Sequence, residues 1–170
     1  MPEPQLTTGT RTFNQILASD EHRSWINLLW DKAGRVIILS DYGNWSHFWG
    51  CRGEGVSTEK FLAELDMHYM GKKMLGNEFW EFSLDATVGD IREHLKGFSR
   101  FKAGVHCEKE LVGYLESGEF SFDMWCGETA IDDAYELAVK VPSNDWQQLW
   151  DRLWIPFVQP ELKRQADASL

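Results

Sequence analysis

Residues 24–49 read SWINLLWDKAGRVIILSDYGNWSHFW, and this segment carries the clearest strand pattern in the chain. It contains three runs of aliphatic, β-branched and aromatic residues, at positions 24–30, 35–40 and 45–49. The four-residue segments DKAG and DYGN separate these runs, and Asp, Gly and Asn favour tight turns. Strands joined by such turns pair in antiparallel order. We therefore predict an antiparallel β-meander of three or more strands over residues 23–50.

The third run places aromatic side chains on both faces of the predicted sheet. Because side chains alternate along a strand, Trp45, His47 and Trp49 lie on one face, and Ser46 and Phe48 lie on the other. A sheet face lined with tryptophan must be shielded from water by other elements. We therefore expect helices to pack against the meander, on one of its faces.

Helical spacing of apolar residues predominates after the meander, which makes the predicted fold class α+β. The predicted helices span residues 57–71, 87–98, 108–115, 129–138 and 143–154. Two extended segments are expected between them, at 78–82 and 120–125.

The last predicted helix carries the clearest apolar stripe, which includes Trp146, Trp150 and Trp154 at four-residue spacing. We predict that the stripe is buried against the sheet; the alternative is a partner-binding helix face. Pro156 is expected to kink or end this helix, because proline lacks an amide donor and its ring clashes with the preceding turn.

The 170 residues are the size of one ordinary domain. A content of 43% hydrophobic and 14% aromatic residues suffices for a buried core, and no Pro/Gly/Ser-rich linker divides the chain. We predict a single domain over residues 1–170, with frayed ends at 1–12 and 161–170.

The three cysteines do not indicate a disulfide framework. Cys51, Cys107 and Cys126 are odd in number and lack the paired spacing of zinc ligands. The N-terminus lacks the basic and apolar pattern of a signal peptide, and no apolar run approaches the ~18 residues that span a bilayer. We expect reduced thiols and a cytoplasmic protein that is not embedded in a membrane.

The net charge of −10 is concentrated in one segment. Residues 105–138 contain nine acids and one base, Lys109, and so carry −8 of it. Such a surface repels phosphate and attracts basic partners, which disfavours direct binding to nucleic acid. The alternative is a solvated acidic face that only keeps the protein soluble. The predicted partner-binding residues are Glu108, Glu110, Glu116, Glu119, Asp123, Asp132, Asp133 and Glu136.

A different hypothesis rests on Asp41, His47 and Cys51. A carboxylate near an imidazole can act as an acid–base pair, and Cys51 is the nearest thiol. However, the segment contains no nucleophile elbow, and the histidines lack the spacing of metal ligands. We therefore predict no catalytic residue, no metal site and no cofactor, and we keep a small enzyme at these three residues as an alternative.

Residues 41–50 read DYGNWSHFWG, and residues 61–62 and 66–73 read FL and DMHYMGKK. These segments resemble small uncharacterised proteins encoded by phages and prophages. The resemblance implies a phage origin and an accessory role inside an infected bacterium, and it assigns no activity to any residue. Small acidic phage proteins are often inhibitors of host defence that occupy the basic, nucleic-acid-binding surface of a nuclease or surveillance complex.

The combined hypothesis is a phage accessory protein whose acidic segment binds a basic host protein or nucleoprotein complex. Inhibition of host defence, of the anti-CRISPR type, is the role that the resemblance implies. A small enzyme and a homo-oligomeric structural protein are the alternatives, the latter because the chain contains so many aromatic residues.

Overall fold

The computed structural model describes residues 9–50, 52–96 and 105–168. Its contacts divide the chain into two compact units. Unit 1 comprises Met1–Phe79 and Pro142–Leu170, and unit 2 comprises Trp80–Val141. The single domain over residues 1–170 stays a prediction.

Unit 1 contains a four-stranded antiparallel meander in the order β1-β2-β3-β4. The strands are β1 Asn14–Ser19, β2 Trp25–Trp30, β3 Arg35–Ser40 and β4 Gly43–Phe48. The predicted meander is confirmed, and β1 extends it by one strand at the N-terminal side. Sequence reasoning missed β1 because most of its residues are polar or small.

The turn between β2 and β3 has the residues that its geometry requires. Asp31 accepts a hydrogen bond from the amide of Arg35 at 2.9 Å. Gly34 has φ +96°, and a Cβ there would lie 2.2 Å from the carbonyl oxygen of Trp49. Only glycine fits this position, so the local sequence sets the register of the hairpin.

One face of the meander forms the core of unit 1. Ile26, Leu28 and Ile38 on the two central strands are completely buried. Trp30 is also completely buried, and its indole Nε1 donates a hydrogen bond of 2.8 Å to Oε1 of Glu59. The helices of unit 1 therefore cover one sheet face, as the alternating pattern predicts.

Residues 57–71 form two helices rather than the single helix predicted. Helix α1 spans Thr58–Glu64 and helix α2 spans Met67–Leu75. Leu65 between them is extended, and the side chain of Asp66 accepts a hydrogen bond from the amide of Tyr69 at 2.8 Å. This N-cap restarts the helix, while the apolar spacing continues across the break and conceals it.

The C-terminal helical segment runs past Pro156, so an end at Pro156 is excluded, and a kink there stays a prediction. Helix α6, Asn144–Leu149, continues as a π-helical segment over Trp150–Val158 and then as α7 over Gln159–Asp167. In a π-helix the backbone bonds reach five residues back, so the carbonyl that would clash with the proline ring is displaced.

The residues after Pro160 were predicted to fray, and this is wrong for the part that the structure describes. Leu162 on α7 is completely buried, and α7 packs against α1. The prediction of a buried tryptophan stripe is confirmed, because Trp146 and Trp154 are completely buried and Trp150 is 6% exposed. The ring of Trp146 meets Trp45 of β4 edge-on at 5.3 Å.

Unit 2 is built from short elements around a core of its own. Strand β5, Trp80–Phe82, pairs with β6, Lys140–Pro142. The helices are α3 Leu84–Lys96, α4 Val105–Ser117 and α5 Phe122–Glu128, followed by a 3₁₀ turn at Ala134–Leu137. Its buried cluster consists of Val88, Ile91, Leu95, Val112, Leu115, Trp125, Ile131 and Ala134.

Two predicted elements of unit 2 are wrong in type. The segment predicted to be extended at 120–125, as a strand or an arm, instead contains the start of α5, and Ser121 caps this helix by accepting a hydrogen bond from the amide of Met124 at 3.2 Å. The predicted helix at 129–138 is only the 3₁₀ turn, preceded by Asp133 in the left-handed conformation at φ +55°. The fold class, α+β, is as predicted.

Candidate interaction surface

The structure describes the side chains of seven of the eight predicted partner-binding residues, and all seven are exposed. Glu110 and Glu116 lie on α4, Glu119 lies in the loop after it, and Asp123 lies on α5. Asp132, Asp133 and Glu136 lie in and just before the 3₁₀ turn. The side chain of Glu108 lies outside the description.

The charge of the two units differs strongly. Unit 2 contains 13 acids and 6 bases, for a net charge of −7, whereas unit 1 contains 14 acids and 11 bases, for −3. Unit 2 is the shorter of the two, so its charge density is several times higher. Exposed carboxylates at this density produce a negative potential that attracts basic groups.

The acidic residues do not form one row along a helix. Glu116 pairs with Arg92 of α3 at 2.6 Å, so a base from outside the acidic segment offsets one predicted residue. On α5, Asp123 and Glu128 are five positions apart, which places them about 140° apart around the helix axis. The carboxylates are therefore spread over several sides of α4, α5 and the 3₁₀ turn.

Aromatic side chains form a cluster among these carboxylates. Phe122 on α5 is 5.2 Å from Phe82 of β5 and 6.2 Å from Tyr135 of the 3₁₀ turn, measured between ring centroids. The exposed fraction is 47% for Phe82 and 62% for Tyr135. Phe122 also stacks on the buried Trp125, with the ring centroids 5.8 Å apart. We call Phe82, Phe122 and Tyr135 the aromatic cluster.

An acidic residue directly follows two members of the aromatic cluster in the sequence. Asp123 follows Phe122 on α5, and Glu136 follows Tyr135 in the 3₁₀ turn; both are exposed. Met124, also on α5, is 54% exposed. Exposed aromatic rings and an exposed methionine within one small unit are typical of a protein-binding surface, in which aromatic residues and Met are enriched.

Sequence reasoning did not identify the aromatic cluster. Its three members come from segments about 40 and 13 positions apart, and the segment containing Phe122 was assigned to a strand. The available signal was local: an acid stands next to each ring, in Glu81-Phe82, Phe122-Asp123 and Tyr135-Glu136.

Cys126 lies half-buried on α5 near this surface. Burial raises the pKa of its thiol, and the negative charge of Asp123 raises it further. The thiolate is the nucleophilic form, so this environment suppresses the reactivity of Cys126.

Asp41 and His47, two of the three residues of the alternative enzyme site, are not brought together in the structure. Asp41 accepts a hydrogen bond from the amide of Trp25 at 3.1 Å, at the β3–β4 turn. His47 lies near the opposite end of β4, about 14 Å away along the strand, and its ring meets Trp49 at 4.5 Å. Burial lowers the pKa of His47, and the charge of Lys73 lowers it further. Cys51 lies outside the described residues.

Among the described residues, no other feature indicates a second functional site. Within residues 9–50, 52–96 and 105–168, His, Cys, Asp and Glu side chains form no group of three that could hold a metal ion. Over the same residues, no helix is both long enough and apolar enough to cross a bilayer. An open groove of about 430 Å³ lies between α1 and α7. Two bases, Lys60 and Lys163, and two acids, Glu64 and Asp167, are among its lining residues. Its charges balance, and it has no cluster of reactive groups.

The comparison with known proteins places the chain in a family. The model of a phage family matches residues 7–164, which is nearly the whole chain. The chain belongs to this phage family. No curated protein and no solved structure matches it. Membership confirms the phage resemblance carried by residues 41–73.

Proposed function

We propose that this phage-family protein is an accessory factor that acts in the cytoplasm of the infected bacterium. It binds a basic surface of a host protein or nucleoprotein complex through unit 2. The observation that carries the proposal is the net charge of −7 in unit 2, a unit that presents exposed carboxylates and two exposed aromatic rings, Phe82 and Tyr135.

The charge supports the proposal in two ways. Negative potential over a small unit accelerates encounter with a basic partner and repels phosphate, which favours protein over nucleic acid as the partner. Surfaces of proteins that hold nucleic acid are rich in Lys and Arg, and an acidic protein can occupy them in place of the phosphate backbone.

The aromatic cluster supports a specific contact rather than a purely electrostatic one. Charges alone give weak, salt-screened attraction, whereas buried aromatic residues carry most of the binding energy in typical interfaces. The rings of Phe82 and Tyr135 are exposed, and Asp123 and Glu136 stand next to the cluster in the chain. An arginine of the partner can stack on such a ring while it pairs with a neighbouring carboxylate.

The biological role that fits this chemistry is inhibition of host defence, of the anti-CRISPR type. Nucleases and surveillance complexes must expose basic surfaces to hold nucleic acid, and a phage benefits when those surfaces are blocked. Membership in a phage family is consistent with such a role and does not specify it.

A charge-reversal experiment tests the proposal. The variant Glu119→Lys/Asp132→Lys/Glu136→Lys alters exposed positions of unit 2, and Glu54→Lys/Glu64→Lys/Asp151→Lys makes the same change in charge at exposed positions of unit 1. Each tagged chain is used to capture proteins from infected host cells, and the captured proteins are identified by mass spectrometry. We expect the wild type and the unit 1 variant to retain a common basic partner that the unit 2 variant loses. Capture of the same proteins by all three chains would remove the proposal.

A further inference from the structure

The sheet face of unit 1 that points away from the buried core carries an unusual set of side chains. Leu17, Trp25 and Phe48 on this face are 70%, 40% and 54% exposed. Leu29, Ile37 and Leu39 on the central strands are half-buried. A sheet with one face in water normally alternates apolar and polar residues, so that the water-facing side is polar. We call this side the outer sheet face.

The strand register places the apolar residues of the two central strands next to one another. Leu29 of β2 is directly opposite Ile37 of β3, and Leu39 of β3 is opposite Asn27 of β2. On the edge strands, Leu17 is opposite Asn27, and Phe48 is opposite Arg35. The central strands are therefore mainly apolar on this face.

The remaining positions of the edge strands are polar and small, namely Gln15, Ser19, Asn44 and Ser46. An apolar centre with a polar margin is the composition of a protein interface.

The outer sheet face is electrically neutral in a strongly acidic chain. Among its twelve residues Arg35 alone is charged, and its guanidinium pairs with Asp31 at 3.1 Å while lying over the ring of Phe48 at 5.2 Å. A neutral face offers a basic partner no electrostatic attraction. Interfaces between copies of one chain are more apolar than those between different proteins, and neutrality avoids repulsion between two acidic copies.

We infer that the outer sheet face is the contact between two copies of this chain, which stack sheet against sheet. Two identical sheets have the same twist, so they pack face to face at about 10 Å with strands within about 30° of each other. A two-fold axis in the plane of the contact relates the copies, and each contributes the same residues.

The area of the face predicts how strong this contact is. Four strands of six residues cover a flat area of about 400 Å² per copy, or about 800 Å² for the pair. This figure treats each face as a plane and leaves out the additional area of protruding side chains. Interfaces of this size belong to weak, reversible complexes. The dimer therefore forms at high local concentration and dissociates on dilution. This inference does not depend on the function proposed for unit 2.

Sedimentation velocity from micromolar to millimolar protein tests the inference. We expect the wild-type sedimentation coefficient to rise with concentration from that of a monomer towards that of a dimer. Leu17→Glu/Phe48→Glu should remain monomeric throughout, and Leu17→Ser/Phe48→Ser should shift the transition at least fivefold in concentration without adding charge. Tyr69→Glu/Phe157→Glu, which changes two exposed rings on the helical segments of unit 1, should associate as the wild type does.

Three results would overturn the inference. A wild type that stays monomeric at millimolar concentration excludes a second copy and leaves a foreign protein as the occupant of this face. Association that persists unchanged in both sheet variants excludes the outer sheet face as the contact. Association that is lost only in Tyr69→Glu/Phe157→Glu assigns the contact to another surface. Far-UV circular dichroism of each variant verifies that the sheet is intact.

Discussion

Arg152, in the π-helical segment, forms an ion pair with Asp20, 132 positions earlier, in the turn between β1 and β2. Asp20 also accepts hydrogen bonds of 2.9 Å from the amides of His22 and Ser24. The carboxylate of Asp20 thus connects the C-terminal helical segment to the start of the meander. The same C-terminal helical segment carries the buried tryptophan stripe of unit 1.

This connection predicts a pH-dependent stability. Burial raises the pKa of Asp20, but hydrogen bonds from Ser24, Arg152 and His22 together hold it below its ordinary value. A depressed pKa in the folded state stabilises the fold above the unfolded pKa of about 4, and this contribution is lost as pH falls through the folded pKa. We expect Asp20→Asn to be less stable than the wild type at pH 7, with a difference that shrinks towards pH 3.

Urea unfolding midpoints at pH 7, 5 and 3 measure this difference. Asp151→Asn, at an exposed position beside Arg152, serves as the control and should show no such convergence. A deficit of Asp20→Asn that stays constant over the whole pH range would contradict this account of the ion pair.

A glycine in α2 provides a second prediction. A Cβ at Gly71 would lie 2.2 Å from Cε2 of Phe79 and 2.7 Å from Nε1 of Trp146. Replacement of glycine by alanine in a helix normally stabilises by about 1 kcal/mol, but here overpacking should cost about 1–3 kcal/mol. Gly89→Ala in α3, where a Cβ meets nothing within 4 Å, should be neutral or stabilising. Denaturant unfolding of both variants checks the sign, and a stabilised Gly71→Ala would show that this close packing is absent.

The raised pKa of Cys126 predicts slow alkylation. Because burial and the charge of Asp123 both disfavour the thiolate, iodoacetamide should modify Cys126 slowly at pH 8. Asp123→Asn should increase the rate, whereas Glu128→Gln on the same helix should change it less. Peptide-resolved mass spectrometry separates Cys126 from the other two cysteines. Equal rates in the wild type and Asp123→Asn would exclude an electrostatic effect of Asp123.

The aromatic cluster predicts specific losses of binding. Once a partner has been captured, Tyr135→Ala and Phe82→Ala should each weaken its affinity by at least about 1 kcal/mol, which is roughly fivefold. Tyr69→Ala removes a ring of similar exposure from unit 1 and should leave the affinity unchanged. Calorimetric titration distinguishes these outcomes, and full affinity in both cluster variants would assign the contact to charge alone.

Sequence reasoning predicted the features that depend on neighbouring residues. Turn residues and alternation identified β2, β3 and β4, and four-residue spacing identified the buried tryptophan stripe. It missed β1, whose composition is not strand-like, and it missed the break at Leu65, where the apolar spacing continues. The helix does not end at Pro156, because π-helical geometry accommodates the ring, and this geometry has no local signal in the sequence.

The candidate site was only partly predictable for a related reason. Charge is additive along the sequence, so the acidic segment could be located without coordinates. The approach of Phe82, Phe122 and Tyr135 depends on how β5, α5 and the 3₁₀ turn meet around Trp125. Contacts between distant segments of this kind leave little trace in any one segment.

The most direct test of the account is the affinity of the captured host partner for three chains, measured at low and high salt. These are the wild type, the unit 2 variant Glu119→Lys/Asp132→Lys/Glu136→Lys and the unit 1 variant Glu54→Lys/Glu64→Lys/Asp151→Lys. We expect the unit 2 variant to bind at least tenfold more weakly and with less dependence on salt, while the unit 1 variant binds like the wild type. Equal affinities and equal salt dependence for all three chains would contradict the claim that the carboxylates of unit 2 hold a basic partner.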